Sequence, residues 1–215
     1  MTTAFSESYQ AKLTLTVQGR YLVYLPTDYH QKKKNFPLML FLHGSGERGD
    51  HLELVKRHGP PYLAEHGWEF PFILIAPQCP ENEWWSVPVL KAVLDDVVAK
   101  FRVQSKRVYL TGLSMGGFGT WALAMAHPER FAAISPICGG GDPGKVSAIK
   151  NIPTWVFHGN RDRAVPLRRS KEMVEALQQC GGDVRFTVYQ DVGHDCWTQT
   201  YSNPELYDWF LSHKK

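Results

Sequence analysis

RVYLTGLSMGGFGTWALAMA, residues 107–126, changes character twice along its length. Arg107–Thr111 is a short, largely apolar run with no polar alternation, which reads as a strand covered on both faces. Gly112-Leu113-Ser114-Met115-Gly116 then matches Gly-x-Ser-x-Gly, and Phe118, Trp121, Ala122 and Met125 fall at offsets 0, 3, 4 and 7, one face of a helix. A strand, a sharp turn centred on a serine and a helix form the context that gives this pattern meaning. Small residues at 112, 116 and 117 let strand and helix approach closely. The turn strains the backbone at Ser114, pushes its hydroxyl into the open and sets the helix N-terminus beneath it. The Met115 N–H then points to where negative charge would develop. The plain alternative, a Gly/Ser-rich connector, leaves the flanking elements and Gly117 unexplained.

Working outward, similar apolar runs recur at Pro37–Leu42, Pro71–Ala76, Phe131–Ser135, Pro153–Phe157 and Val184–Tyr189. Helical periodicity fills the gaps. Leu90, Val93, Leu94, Val97, Val98 and Phe101 mark one helix, and Leu167, Met173, Val174 and Leu177 another, stopped by Gly181-Gly182. Leu206, Trp209 and Phe210 mark a third, started by Asn203-Pro204. Near the start, Leu13, Leu15 and Val17, then Tyr21, Val23 and Leu25, alternate at period two about Gly19-Arg20 and predict an antiparallel hairpin. The expectation is an α/β fold: a mostly parallel twisted sheet with an N-terminal hairpin and helices on both faces. It is read as one domain, residues 1–215, since no linker or repeat divides the chain. Ligands in such folds bind beyond the carboxyl ends of the strands, where every motif discussed here falls.

A serine hydroxyl needs a neighbouring base. Of nine histidines, His194 lies in Asp191-Val-Gly-His-Asp-Cys-Trp197 just after the last strand, where Gly193 frees the loop to swing the ring toward Ser114. His43 and His158 precede glycines at strand ends and read as turn-shaping. The orienting acid belongs after a strand between serine and histidine. Asp162, in His158-Gly-Asn-Arg-Asp162, fits that place; its alternative role is an Asx turn or helix cap, and Asp142, Asp191 and Asp195 are its rivals. The order Ser, Asp, His is that of α/β-hydrolases. A rate controlled by His194 is expected to rise as an ordinary imidazole loses its proton, at about pH 6–7.

His43-Gly44-Ser45-Gly46-Glu47-Arg48-Gly49 follows the first long strand. It is literally G-x-G-x-x-G, but no acidic residue stands at a strand end about 20 positions on, so a dinucleotide site is not supported. The loop reads better as a source of backbone donors facing Ser114, Ser45 N–H first and Gly46 second, with Met115 completing an oxyanion hole.

LFLHGSGERGD, ILIAPQCPENEWW, RVYLTGLSMGGFGTWALAMAHPERFAAISPICGG, TWVFHGNRDRAVP and VGHDCW together span residues 38–197. In these segments the chain resembles the α/β-hydrolase superfamily, and within it the small phospholipase/carboxylesterase group and related predicted peptidases and feruloyl-type esterases. The resemblance implies carboxylic ester hydrolysis through Ser114, Asp162 and His194, by an acyl-enzyme and without metal or cofactor. It also implies oxyanion donors at Ser45, Gly46 and Met115. No long insertion separates the late strands, so no large lid domain is expected. Trp84, Trp85 and Trp197 stand on loops that would border Ser114, where they would pack an acyl or aryl group or simply plug the sheet edge. Short acyl or aryl esters are the expected small-molecule substrates. A peptidase or amidase using the same triad, and a non-catalytic binding protein of this fold, are the alternatives.

Composition agrees. The chain of 215 residues is 43% hydrophobic and 21% charged, with a formal net charge of +3. Its basic residues are dispersed, so no nucleic-acid partner is expected. The apolar runs are too short for a membrane span. MTTAFSESYQAK lacks a signal-like n-region, which points to a cytoplasmic location. Cys79, Cys138, Cys180 and Cys196 contain no CxxC pair and are expected as free thiols.

Overall fold

A computed structural model describes residues 16–215. Seven strands form one sheet: β1 (Tyr21–Tyr24), β2 (Phe36–Leu42), β3 (Ile73–Pro77), β4 (Val103–Leu113), β5 (Ala133–Ile137), β6 (Thr154–Gly159) and β7 (Val184–Tyr189). Their order is β1-β3-β2-β4-β5-β6-β7; β1 lies antiparallel to β3 and every other pair is parallel. Six of these strands are the apolar runs of the sequence. The expected hairpin is represented by its second arm, β1. Residues 13–15 of its first arm lie outside the described residues, and Thr16–Arg20 form no strand.

The continuous hydrophobicity of the central strands has a direct cause. In β2, Leu38, Leu40 and Leu42 enter one core while Met39 and Phe41 enter the other, and all are buried. Helices α2 (Val87–Lys100), α3 (Met115–Ala126) and α4 (Arg168–Gln179) cover the first face through Leu90, Leu94, Trp121, Met173 and Leu177. Helices α1 (Gly59–Glu65), α5 (Trp197–Tyr201) and α6 (Pro204–Ser212) cover the second through Leu63, Tyr201, Leu206 and Phe210. A sheet with helices on both faces must be apolar on both.

The parallel strands bring their carboxyl ends to one edge. The loop after β2, the turn from β4 into α3 and the loops after β5, β6 and β7 therefore meet there. Cys79, Cys138, Cys180 and Cys196 are free thiols. No helix among the described residues is long and apolar enough to cross a membrane.

Candidate active site

Ser114 stands between β4 and α3 at φ 53° and ψ −115°, a left-handed conformation that L residues avoid. Such strain costs on the order of 1–3 kcal/mol and persists only where the surroundings fix it. Here they do: a Cβ added at Gly116 would sit 1.9 Å from the Leu42 carbonyl oxygen, so β2 and the elbow are in backbone contact. Ser114 N–H also donates to Ile137 O at 2.9 Å, tying the elbow to β5. Met115 is the first residue of α3, so its N–H has no intrahelical partner and faces outward at the positive end of the helix dipole.

His194 reaches both other members of the predicted constellation. Its Nε2 lies 2.9 Å from Ser114 Oγ and its Nδ1 lies 2.6 Å from Asp162 Oδ2. The loop carrying it packs against the end of β6. Arg161 N–H donates to Val192 O at 2.8 Å, and a Cβ at Gly159 would come within 2.3 Å of Gly193 O. The carboxylate of Asp162 is buried, and its Oδ1 accepts N–H bonds from Ala164 and Val165, both at 2.9 Å. One oxygen thus closes an Asx turn while the other faces the imidazole. The rival Asp142 instead caps the 3-10 turn Pro143–Ile149. Asp191 pairs with Arg161, and Asp195 accepts from Thr198.

The glycine loop after β2 is held by a network that sequence reading passed over. Ser45–Glu47 form a 3-10 turn. Inside it, Glu47 is buried, and its Oε2 accepts the Gly44 N–H at 3.0 Å. His43 Nδ1 lies 2.6 Å from Gly44 O, and its Nε2 accepts the Cys79 N–H at 3.0 Å, which fixes the neutral Nδ1–H tautomer. Desolvation by burial lowers the His43 pKa to about 4. Trp85 Nε1–H donates to His43 O at 3.0 Å. With both polar groups of Gly44 engaged, Ser45 N–H and Gly46 N–H remain as the loop donors beside the elbow. Burial likewise pushes the Glu47 carboxyl up, against the pull of His58 and Arg57.

The three tryptophans take different places. Trp84 is 62% exposed and meets Phe118 edge-on at 6.0 Å. Trp85 is buried over the His43 ring and shares with Trp84, Met115 and Phe118 a cleft of about 500 Å³ running along α3. Trp197 stands edge-on to His194 at 5.1 Å, outside that cleft. A larger hollow of about 700 Å³ lies between residues 16–21 and α2; neither it nor the cleft along α3 is lined by Ser114, His194 or Asp162, and the cleft adjoins the elbow through Met115. His158, predicted to shape a turn, is buried, with Nε2 2.9 Å from Val165 O across that turn and 3.2 Å from Asp162 Oδ2. A histidine before glycine at a strand end was the only signal in the sequence.

Comparison with known proteins agrees with this fold. The family model described as a putative esterase matches residues 15–203. A probable feruloyl esterase C of Aspergillus terreus is 27% identical over 172 residues, covering 77% of this chain and 63% of that protein. The chain thus spans less than two thirds of that relative. Among solved structures, a thermostable esterase is 35% identical with a TM-score of 0.78, over 91% of this chain and 59% of that one. A phospholipase/carboxylesterase from Dyadobacter fermentans, 19% identical with a TM-score of 0.64 over 92% of this chain and 99% of that one, shares the fold. The sheet order, the elbow and these matches place the chain in the α/β-hydrolase fold, and by its sequence it belongs to the putative esterase family.

Proposed function

We propose that this chain is a serine carboxylesterase acting on short acyl or aryl esters. The observation that carries the reading is one imidazole bridging a strained serine and a buried carboxylate at 2.9 Å and 2.6 Å. His194 Nε2 takes the Ser114 proton as Oγ attacks the ester carbonyl. Asp162 holds the Nδ1–H tautomer and stabilises the imidazolium that forms. The N–H groups of Met115 and of Ser45, with Gly46 in reserve, receive the oxyanion, each worth about 3 kcal/mol of barrier. The imidazolium then protonates the departing alkoxide, leaving the acyl group on Ser114. Water, deprotonated by His194, attacks that acyl group; the carboxylic acid leaves and Ser114 regains its proton. No step calls for a cofactor.

The cleft along α3 supports a compact apolar acyl or aryl group, since Trp84, Trp85, Met115 and Phe118 line it directly beside the elbow. A fluorophosphonate probe and an aryl acetate test the reading together. Wild-type protein is expected to turn over the ester and to carry the phosphonyl group on Ser114. Labelling at another residue, or none, would sink it.

A further inference from the structure

We propose that His158 is a positioning residue of this site: its buried ring, bonded to Val165 O and to the Ser170 hydroxyl, stands against Asp162 Oδ2 and fixes the turn that presents this carboxylate. The proposal rests on the triad reading above. His158 lies at the end of β6 and its side chain is fully buried. The turn that follows folds back, with Asp162 N–H donating to Gly159 O at 3.3 Å, so that residues 158 and 162 face each other. His158 Nε2 lies 3.2 Å from Asp162 Oδ2, the oxygen that His194 Nδ1 also meets, and 2.9 Å from Val165 O. Two oxygens surround this nitrogen, so it carries the hydrogen, which is directed to Val165 O and leaves Asp162 Oδ2 as an electrostatic neighbour. Nδ1 lies 2.7 Å from the Ser170 hydroxyl, on the first turn of α4, and can accept its proton. Gly139 O, 2.9 Å from the same hydroxyl, competes for that proton.

Asp162 is thereby gripped from two sides. Two backbone N–H groups hold Oδ1, and Oδ2 meets His194 Nδ1 with the edge of the His158 ring packed beside it, so the carboxylate cannot rotate without breaking a bond or striking that ring. Burial favours the neutral form of His158, outweighing the pull of Val165 O and Asp162 toward the charged form. That neutrality matters, because His194 becomes a cation during turnover and a second cation on the same oxygen would oppose it. The titratable groups facing the pair are Asp162 and His194, with the thiol of Cys138 beside them, kept protonated chiefly by its burial.

The test compares His158→Leu and His158→Gln in the full chain, reading kcat and KM for an aryl acetate from pH 5 to 9. The leucine removes the donor; the glutamine amide can place an N–H near the lost one. His158→Leu is expected to lower kcat about ten- to hundredfold, the cost of a small misplacement of the group that orients the base, with little change in KM. The acidic limb of kcat/KM should move upward, because a carboxylate relieved of the neighbouring ring N–H dipole holds the His194 proton more firmly. His158→Gln should restore most of kcat. Equal losses in both variants with an unmoved limb, or full activity in the leucine variant, would overturn the proposal in favour of packing alone. Should His158→Leu fail to fold, nitrogen-15 NMR of the wild-type histidines decides the matter. A neutral Nε2–H ring at residue 158 is expected between pH 6 and 8, and an Nδ1–H or cationic ring would overturn the proposal. Failure of the wild type to label with fluorophosphonate would instead strike at the triad itself, and is read separately.

Discussion

Ser114 has a conformation, φ 53° and ψ −115°, that suits glycine far better than any residue with a Cβ. Strain is therefore stored in the proposed nucleophile, and substitutions can separate strain from reactivity. Ser114→Ala removes the hydroxyl and keeps the strain; Ser114→Gly removes both. Both are expected to lose ester turnover by about a millionfold. The glycine variant should be the more stable of the two by about 1 kcal/mol in urea unfolding, since relief of the dihedral offsets the greater freedom of glycine when unfolded. Equal stabilities would mean that the elbow is relaxed. At this scale the sequence was informative where a residue stands in a patterned stretch. Ser114 lies in its five-residue signature, and Asp162 and His194 lie at strand ends in the right order. It was silent on Glu47 and offered His43 and His158 only as turn-shaping residues, because their partners, such as Cys79 and Ser170, are ones that no spacing rule pairs with them.

At the scale of elements, the elbow works because β4 and α3 meet with no side chain between them and β2. Gly116→Ala would place a Cβ 1.9 Å from Leu42 O, and backbone atoms cannot yield as a flexible side chain can. The substitution is expected to cost about 3 kcal/mol or more and to lower activity with stability, because the displaced helix start carries the Met115 N–H away from Ser114. A denaturation midpoint within error of the wild type would contradict the close approach. Elements with strong periodicity were legible: the parallel strands through their unbroken apolar runs, and α2, α3 and α4 through their 3.6-residue faces. The short α1 and α5 were not. Gly59-Pro60-Pro61 opens α1 with residues that read as turn formers, yet a proline in the first helical turn gives up no needed N–H. Five-residue α5 is too short to show a period. Tertiary packing of Leu63 and Tyr201 under the second face of the sheet, rather than local propensity, selects both.

Over the whole molecule, buried histidines tie stability to pH. His43 falls from an ordinary 6.5 to about 4 because burial disfavours its cation. Below pH 6.5 the unfolded chain binds a proton at this residue that the folded chain refuses until about pH 4. Folding stability must therefore fall as pH drops through that window, by about 3 kcal/mol for His43 in full. His158, lowered by the same cause, acts in the same direction. Glu47 acts in the opposite sense. Its raised carboxyl lets the folded chain hold a proton that the unfolded chain has already released, so acidification through its range adds stability. The wild-type slope is the difference of these effects. Glu47→Gln keeps an oxygen to accept the Gly44 N–H while removing the titration, so it should steepen the loss of stability between pH 6.5 and 4. Urea unfolding at half-unit pH steps would read this directly, and a variant slope equal to or shallower than that of the wild type would show that Glu47 ionises normally in the fold. Protonation of His43 also removes the acceptor for Cys79 N–H and loosens the loop that presents Ser45, so in this window the loss of stability and the loss of ester turnover should run together.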